Sequence, residues 1–372
     1  MHATEALAEA DRLMTVCNSC RYCEGLCAVF PAMEERRVFN DGDLNYLANL
    51  CHGCGACYID CQFSPPHEFN VNVPKALART RAESYAHYAW PRAFAGLFAR
   101  NGAAVSLIAG LGVAAFFGGF FTLGGASALV AQRAGPGAFY AVLPHGAMAA
   151  LFGAAFLYAL FALAMGVRNF WRDIGEPAAT MAEPASLWTA TRDAGRLRYL
   201  DGAGVGCHIG EDRPPDRRRL FHHLVFYGFI LCFAATSVAT LYHYAGYEAP
   251  YAWLSLPVLL GAVGGLGMAI GSAGLWVARG AADPVLKDSG AAGMDRAFIA
   301  MLFLTAVSGL ALLALRDTDA MGAALALHLG LVFAFFVTTP YGKMVHGLYR
   351  FLALVRYAKE MRVAASRPAD GG

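Results

Sequence analysis

An all-α fold in two parts is predicted for this chain: a small cysteine-rich helical domain, then a six-helix transmembrane bundle. Three observations carry that prediction. Hydrophobic residues make up 57% of the 372 residues and charged residues only 15%, whereas soluble globular chains carry about 25% charged residues. Six stretches free of Asp, Glu, Lys and Arg approach or exceed the about 20 residues needed to cross a bilayer core. Eight of the ten cysteines fall between Cys17 and Cys61, ahead of the first such stretch. A net charge of +2, with no Lys/Arg patch interleaved with aromatics, gives no basis for nucleic-acid binding.

The opening MHATEALAEADRLM is acidic and lacks an apolar core, so it does not read as a signal peptide. Dense cysteines in a chain that is not exported read as metal ligands rather than disulfides. TEALAEADRLM is expected to be a helix leading into Cys17, and DGDLNYLANL another leading into Cys51, capped by Asp41 or Asp43. After Cys61 and a Pro-rich turn, VPKALARTRAESYAHYAWP reads as one helix, with Pro74 in its first turn and Pro91 beyond its end. Its Lys, Arg, Tyr and Trp suit a helix lying on lipid headgroups; a plain connecting helix fits equally well. The expected divisions are a cysteine domain at 1–73, a linker helix at 74–100, a membrane domain at 101–345 with a loop at 168–219, and a tail at 346–372.

The apolar segments lie near 102–131, 140–167, 222–244, 252–278, 297–315 and 321–341. Of the 29 Lys and Arg residues, only Arg133 and Arg316 fall in loops on one side. By the positive-inside rule the other side, with both termini and the cysteine domain, is cytoplasmic. Small-residue spacings such as Gly267–Gly271 are expected to let helices approach closely. DGAGVGC, residues 201–207, echoes a dinucleotide-binding glycine loop, but no strand precedes it and it reads as a plain loop.

Cys17, Cys20, Cys23 and Cys27 are spaced C-x2-C-x2-C-x3-C, and Cys51, Cys54, Cys57 and Cys61 repeat that spacing. Three thiolates within seven residues can bend around one corner of an iron–sulfur cube, and the fourth points toward a second cluster. On that pattern Cys17, Cys20, Cys23 and Cys61 hold one [4Fe–4S] cluster, and Cys51, Cys54, Cys57 and Cys27 the other. Zinc would prefer paired C-x2-C knuckles. Gly25, Gly53 and Gly55 keep the backbone bare, so that amide N–H groups can reach sulfur. No Pro follows the fourth cysteine directly, and the stretch between Cys27 and Cys51 looks helical. An α-helical ferredoxin-like domain is therefore expected, not the compact β-containing type.

Histidine is the only ionisable residue of the six spans, at His145, His222, His223, His243 and His328, with His346 just beyond the last. Intramembrane ionisable residues are functional candidates. His328 and His346, read as one helix, lie five turns and about 27 Å apart on one face. The third and sixth helices would then each present a histidine at both membrane faces. Two axial histidines from facing helices can hold a haem, which pairs His222 (or His223) with His346 near the cytoplasm and His243 with His328 outside. His145 is a candidate extra ligand or a proton donor to quinone. Cys232 reads as packing, and Cys207-His208 as a structural element or a redox contact.

The paired cysteine motifs, SPPHEF, RRRLFHHLVFYGFILCFAATSVATLYHY and DTDAMGAALALHLG…PYGKMVHGLYRF together resemble the tricarballylate-utilisation protein B family, also called citrate-utilisation protein B, nearly end to end. The resemblance implies an iron–sulfur and b-haem protein of the bacterial cytoplasmic membrane. It would work beside an FAD-dependent tricarballylate dehydrogenase, reoxidise its FADH2 and pass electrons to the membrane quinone pool. The last five helices are weakly similar to the gamma subunit of respiratory nitrate reductase, a di-haem cytochrome b. That similarity implies His222, His328 and His346 as ligands. It places Cys232 where that family has its outer-haem histidine, so either His243 substitutes or one haem is missing.

The function expected on these grounds is an electron conduit between a flavoprotein and quinone, an oxidoreductase component with one or two b haems. A membrane redox sensor is the alternative. A tricarboxylate carrier is less favoured, because no Arg or Lys lies within the spans.

Overall fold

The computed structural model describes residues 2–200, 217–281 and 283–367. Among them all regular structure is helical, with no strand. The N-terminal part holds α1 (Glu5–Cys20), α2 (Val29–Glu34), α3 (Asp41–Leu50), α4 (Ala56–Ile59) and α5 (Val73–Tyr88). Thr4 caps α1 by accepting from the Leu7 amide. The cap of α3 is Asn40, not Asp41 or Asp43. Its side chain accepts from the Asp43 amide while the Asp43 carboxylate accepts from the Asn40 amide, a capping box. Asp41 is thus already helical, and Asp43 works from the third position. Asn72 caps α5, with Pro74 in the first turn where no N–H is needed. α1, α3 and α5 pack together around Leu13, Met14, Tyr46, Leu47 and Leu77, all sealed from solvent.

Next come α6 (Asn101–Gly124), the short α7 (Ala126–Val130), α8 (His145–Asp173), α9 (Pro184–Gly195), α10 (Arg218–Tyr244), α11 (Leu256–Ala281), α12 (Ala292–Leu315) and α13 (Met321–Thr338). Six of these, α6, α8 and α10 to α13, are long and apolar enough to cross a membrane. The expected run 102–131 divides at Gly125, whose φ of +64° ends α6. α8 begins only at His145, after Pro144. Hydropathy located the spans, but backbone geometry set their ends. α13 is the central helix: 56% of its apolar window is buried, against 17–28% for the others.

α10 and α11 pack along their length, because glycines face each other across the contact. A β-carbon on Gly264 would stand 2.8 Å from the Gly228 carbonyl oxygen, and one on Gly271 2.7 Å from that of Phe221. Gly267 is looser, with 3.4 Å to the Leu224 oxygen. Gly271→Leu is therefore expected to force the helices apart and to cost about 1–3 kcal/mol or more. This would be read as a lower unfolding temperature in detergent. Gly110→Leu, where a β-carbon meets nothing within 4 Å, should leave it unchanged.

Residues 346–372, expected as a tail, instead contribute most of a long helix, α14 (Val345–Ser366). The helix through His328 and His346 is interrupted by a 3₁₀ turn at Thr339–Tyr341, because Pro340 cannot continue the α pattern. α14 packs on α3, α8 and α9 and buries Tyr349, Ala353, Leu354 and Val355 in the same core as α1, α3 and α5. Tyr46 donates to Glu360 at 2.9 Å, Arg356 bonds Glu360 at 2.8 Å and Asp43 at 3.2 Å, and Arg36 pairs with Asp43 and Glu360. These charges are mostly buried yet fully matched, the condition under which buried ions are tolerated.

Candidate functional site

The eight clustered cysteines gather around two neighbouring cavities. The first, about 420 Å³, is lined by Cys17, Cys20, Cys23, Cys57 and Cys61 among Val16, Phe30, Phe63 and Val71. The second, about 390 Å³, is lined by Cys27, Cys51, Cys54 and Cys57, with His52, Gly53, Gly55 and Tyr199. Cys57 stands in the wall between them. Cys27, from the first motif, lines the second cavity, and Cys61, from the second motif, lines the first. None of the nine described cysteines is in a disulfide.

Burial first, and then the neighbouring Cys23, Cys61 and Cys20, push the Cys17 thiol up to about 12. Burial, then Cys61 and Cys20, push Cys23 up to about 11. Burial raises Cys27, and Cys51 and Cys54 raise it further. Thiols so placed become thiolates only beside a strong positive charge such as iron. Among the described residues, no three His, Cys, Asp or Glu groups converge as for a single metal ion. The thiols instead line two adjoining hollows that share Cys57.

Two of the three expected glycines have special backbone: Gly53 has φ +60° and Gly55 φ +89°. A side chain at either would be strained. The Gly53 amide donates to Cys51 Sγ at 3.4 Å. Gly25 has no such φ and open space around its α-carbon.

Three arginines that the sequence reading did not single out converge on the loop of the second cavity. Arg81 on α5 donates to the Cys51 carbonyl at 2.6 Å, and Arg350 on α14 donates to the same oxygen at 2.8 Å. Arg218 at the start of α10 donates to the carbonyls of His52 and Gly53, each at 3.1 Å. Burial, with Arg81 next, lowers Arg350 to about 10, so it remains a cation at neutral pH. Burial, with Arg350 next, holds His52 well below the usual histidine range, so His52 is neutral.

Beyond this loop His222 on α10 faces His346 on α14, with ring centroids 6.3 Å apart and planes at 73°. His346 Nδ1 donates to the Lys343 carbonyl, which leaves Nε2 as the ring's acceptor. His222 Nδ1 is enclosed without a hydrogen-bond partner. His223 turns aside to stack on Tyr227. The outer pair does not form as expected. His243 stacks on His145 at 3.5 Å and 18°, whereas His328 bonds Ser308 Oγ at 3.0 Å and packs against Gly309. Both of His328's neighbours belong to α12, and α13 turns the ring toward that helix. Cys232 packs at the α10–α11 contact. Cys207, His208 and the DGAGVGC run lie outside the described residues.

A six-span apolar helical part joined to a compact domain of cysteine-lined cavities defines a class: a multi-pass membrane protein with an iron–sulfur domain of the electron-transfer type. The comparisons agree. A family model described as the citrate utilization protein B Fer4-like domain matches residues 10–87, and that of citrate utilization protein B matches residues 96–368. The chain belongs to the citrate utilization protein B family. It is 48% identical over 361 residues to the citrate utilization protein B of Escherichia coli, covering 96% of this chain and 94% of that one. No solved structure matches it significantly.

Proposed function

We propose that this protein carries electrons from the reduced flavin of a partner flavoprotein to membrane quinone. Cys17, Cys20, Cys23 and Cys61 would hold one [4Fe–4S] cluster, and Cys27, Cys51, Cys54 and Cys57 a second. His222 and His346 would hold one b-type haem. The observation that carries this reading is the two cysteine-lined cavities set beside a pair of facing histidines. His222 and His346 face each other with ring centroids 6.3 Å apart and would hold the haem between them, while His243 stacks on His145 and His328 bonds Ser308, which favours one haem over two.

When bound, the clusters and haem supply one-electron redox chemistry. The chain's own residues hold these groups and keep water from them. Val16, Phe30, Phe63 and Val71 exclude water from the first cavity. Tyr22, 71% exposed, marks its open side, where the flavoprotein would approach. The resemblance and the family name point to a tricarboxylate pathway, with tricarballylate dehydrogenase as the partner. The Lys/Arg asymmetry supports a bundle in the cytoplasmic membrane with both termini on the cytoplasmic side.

The test is an anaerobic reduced-minus-oxidised spectrum of the detergent-solubilised protein, with iron, sulfide and haem counted per chain. Quinone reduction by the reduced flavoprotein would then be assayed with and without it. Two clusters, one haem and protein-dependent quinone reduction are expected. Clusters without haem bands would remove the haem from the histidines, and absence of iron and sulfide would end the reading altogether.

A further inference from the structure

Arg81, Arg218 and Arg350 come from α5, α10 and α14, far apart in sequence, yet all donate to carbonyls of residues 51–53. Among the described residues neither Arg81 nor Arg350 forms a direct ion pair with a carboxylate; Asp295, which acts on Arg81 from further off, is already paired with Arg279 and Lys343, and Arg350 Nε is enclosed without a hydrogen-bond partner. Positive charge held this way is costly unless an anion lies close. A cluster ligated by four thiolates is such an anion, and it gains one further negative charge on reduction. Neighbouring cations therefore favour its reduced form.

The first cavity is surrounded differently. Asp60 acts on Cys23 there, and Arg21, which follows Cys20 in the chain, is exposed and screened by water. The arginines also tie the second cavity to the histidines. Arg218 lies four residues, about one turn, before His222. Arg350 lies four residues, about one turn, beyond His346.

We propose that Arg81, Arg218 and Arg350 are positioning residues that hold the reduction potential of the second-cavity cluster above that of the first, and so direct electrons from the first cavity through the second to the His222–His346 pair. The inference rests on the function proposed above. In each step one electron leaves the Cys17–Cys20–Cys23–Cys61 site and one arrives at the Cys27–Cys51–Cys54–Cys57 site. No bond or proton moves, and the reduced flavin is the source.

The experiment is a redox titration of the full-length purified protein, followed by electron paramagnetic resonance and needing no partner or quinone. Cys20→Ser, which perturbs the first-cavity cluster, assigns the two signals. Arg350→Gln is expected to lower the midpoint potential of the second-cavity cluster alone, at unchanged iron content. Arg350→Lys should retain most of the native value. Should Arg350→Gln lose iron, Arg218→Gln is read in the same terms. A potential unmoved in the variant, an equal shift in both clusters, or a shift confined to the haem overturns the inference. Native protein lacking two clusters would instead overturn the function proposed above.

Discussion

His346→Ala is expected to abolish the b-haem absorbance while leaving iron and sulfide content unchanged. Loss of even a supporting residue around a metal ligand costs about 10–100-fold in affinity, so loss of the ligand itself should cost more, and the purified variant should carry essentially no haem. Among the described residues the surroundings offer no substitute: His223 is committed to Tyr227, and His52 is buried with its Nδ1 on the Leu50 carbonyl at 2.9 Å. His222→Ala should give the same result. His243→Ala and His145→Ala should keep the haem, because those rings stack on each other away from the inner pair. Haem per chain, taken from the reduced spectrum, checks all four; retention in His346→Ala would withdraw both inner ligands.

Cys27→Ala is expected to destroy the cluster of the second cavity, although Cys27 belongs to the first cysteine motif. Its neighbours are Cys51 and Cys54, and it lines the second cavity. The variant should lose about half its iron, as expected when one of two equal clusters goes. The surviving signal should match that of Cys51→Ala and differ from that of Cys17→Ala. Cys61→Ala should show the reverse, joining Cys17→Ala. Grouping by motif instead, with Cys27→Ala matching Cys17→Ala, would defeat the crossed arrangement.

Much of this site is legible in the chain because its signals are local. A repeated C-x2-C-x2-C-x3-C spacing places three sulfurs around one corner whatever surrounds them, and the crossed fourth cysteine follows from chain direction. The six spans follow from the cost of burying charge in lipid. What pairs with what across space was less legible. His243 and His328 satisfy the same spacing logic as His222 and His346, yet only the inner pair faces. The break at Pro340 and the seating of the His328 ring against Ser308 and Gly309 of α12 decide this, and neither follows from counting turns along an assumed continuous helix.

By itself the sequence determined the helical class, the spans, the two cysteine sets and the sidedness of charge, since each depends on residues close together along the chain. Only the tertiary structure decided that the C-terminal helix completes the cysteine domain, through the Arg36–Asp43–Arg356–Glu360 network. It also decided that Arg81, Arg218 and Arg350 meet at one loop. Arginines scattered over some 270 positions carry no mark of a common target. Their convergence comes from how helices stack, because a buried charge settles only where packing brings it a partner.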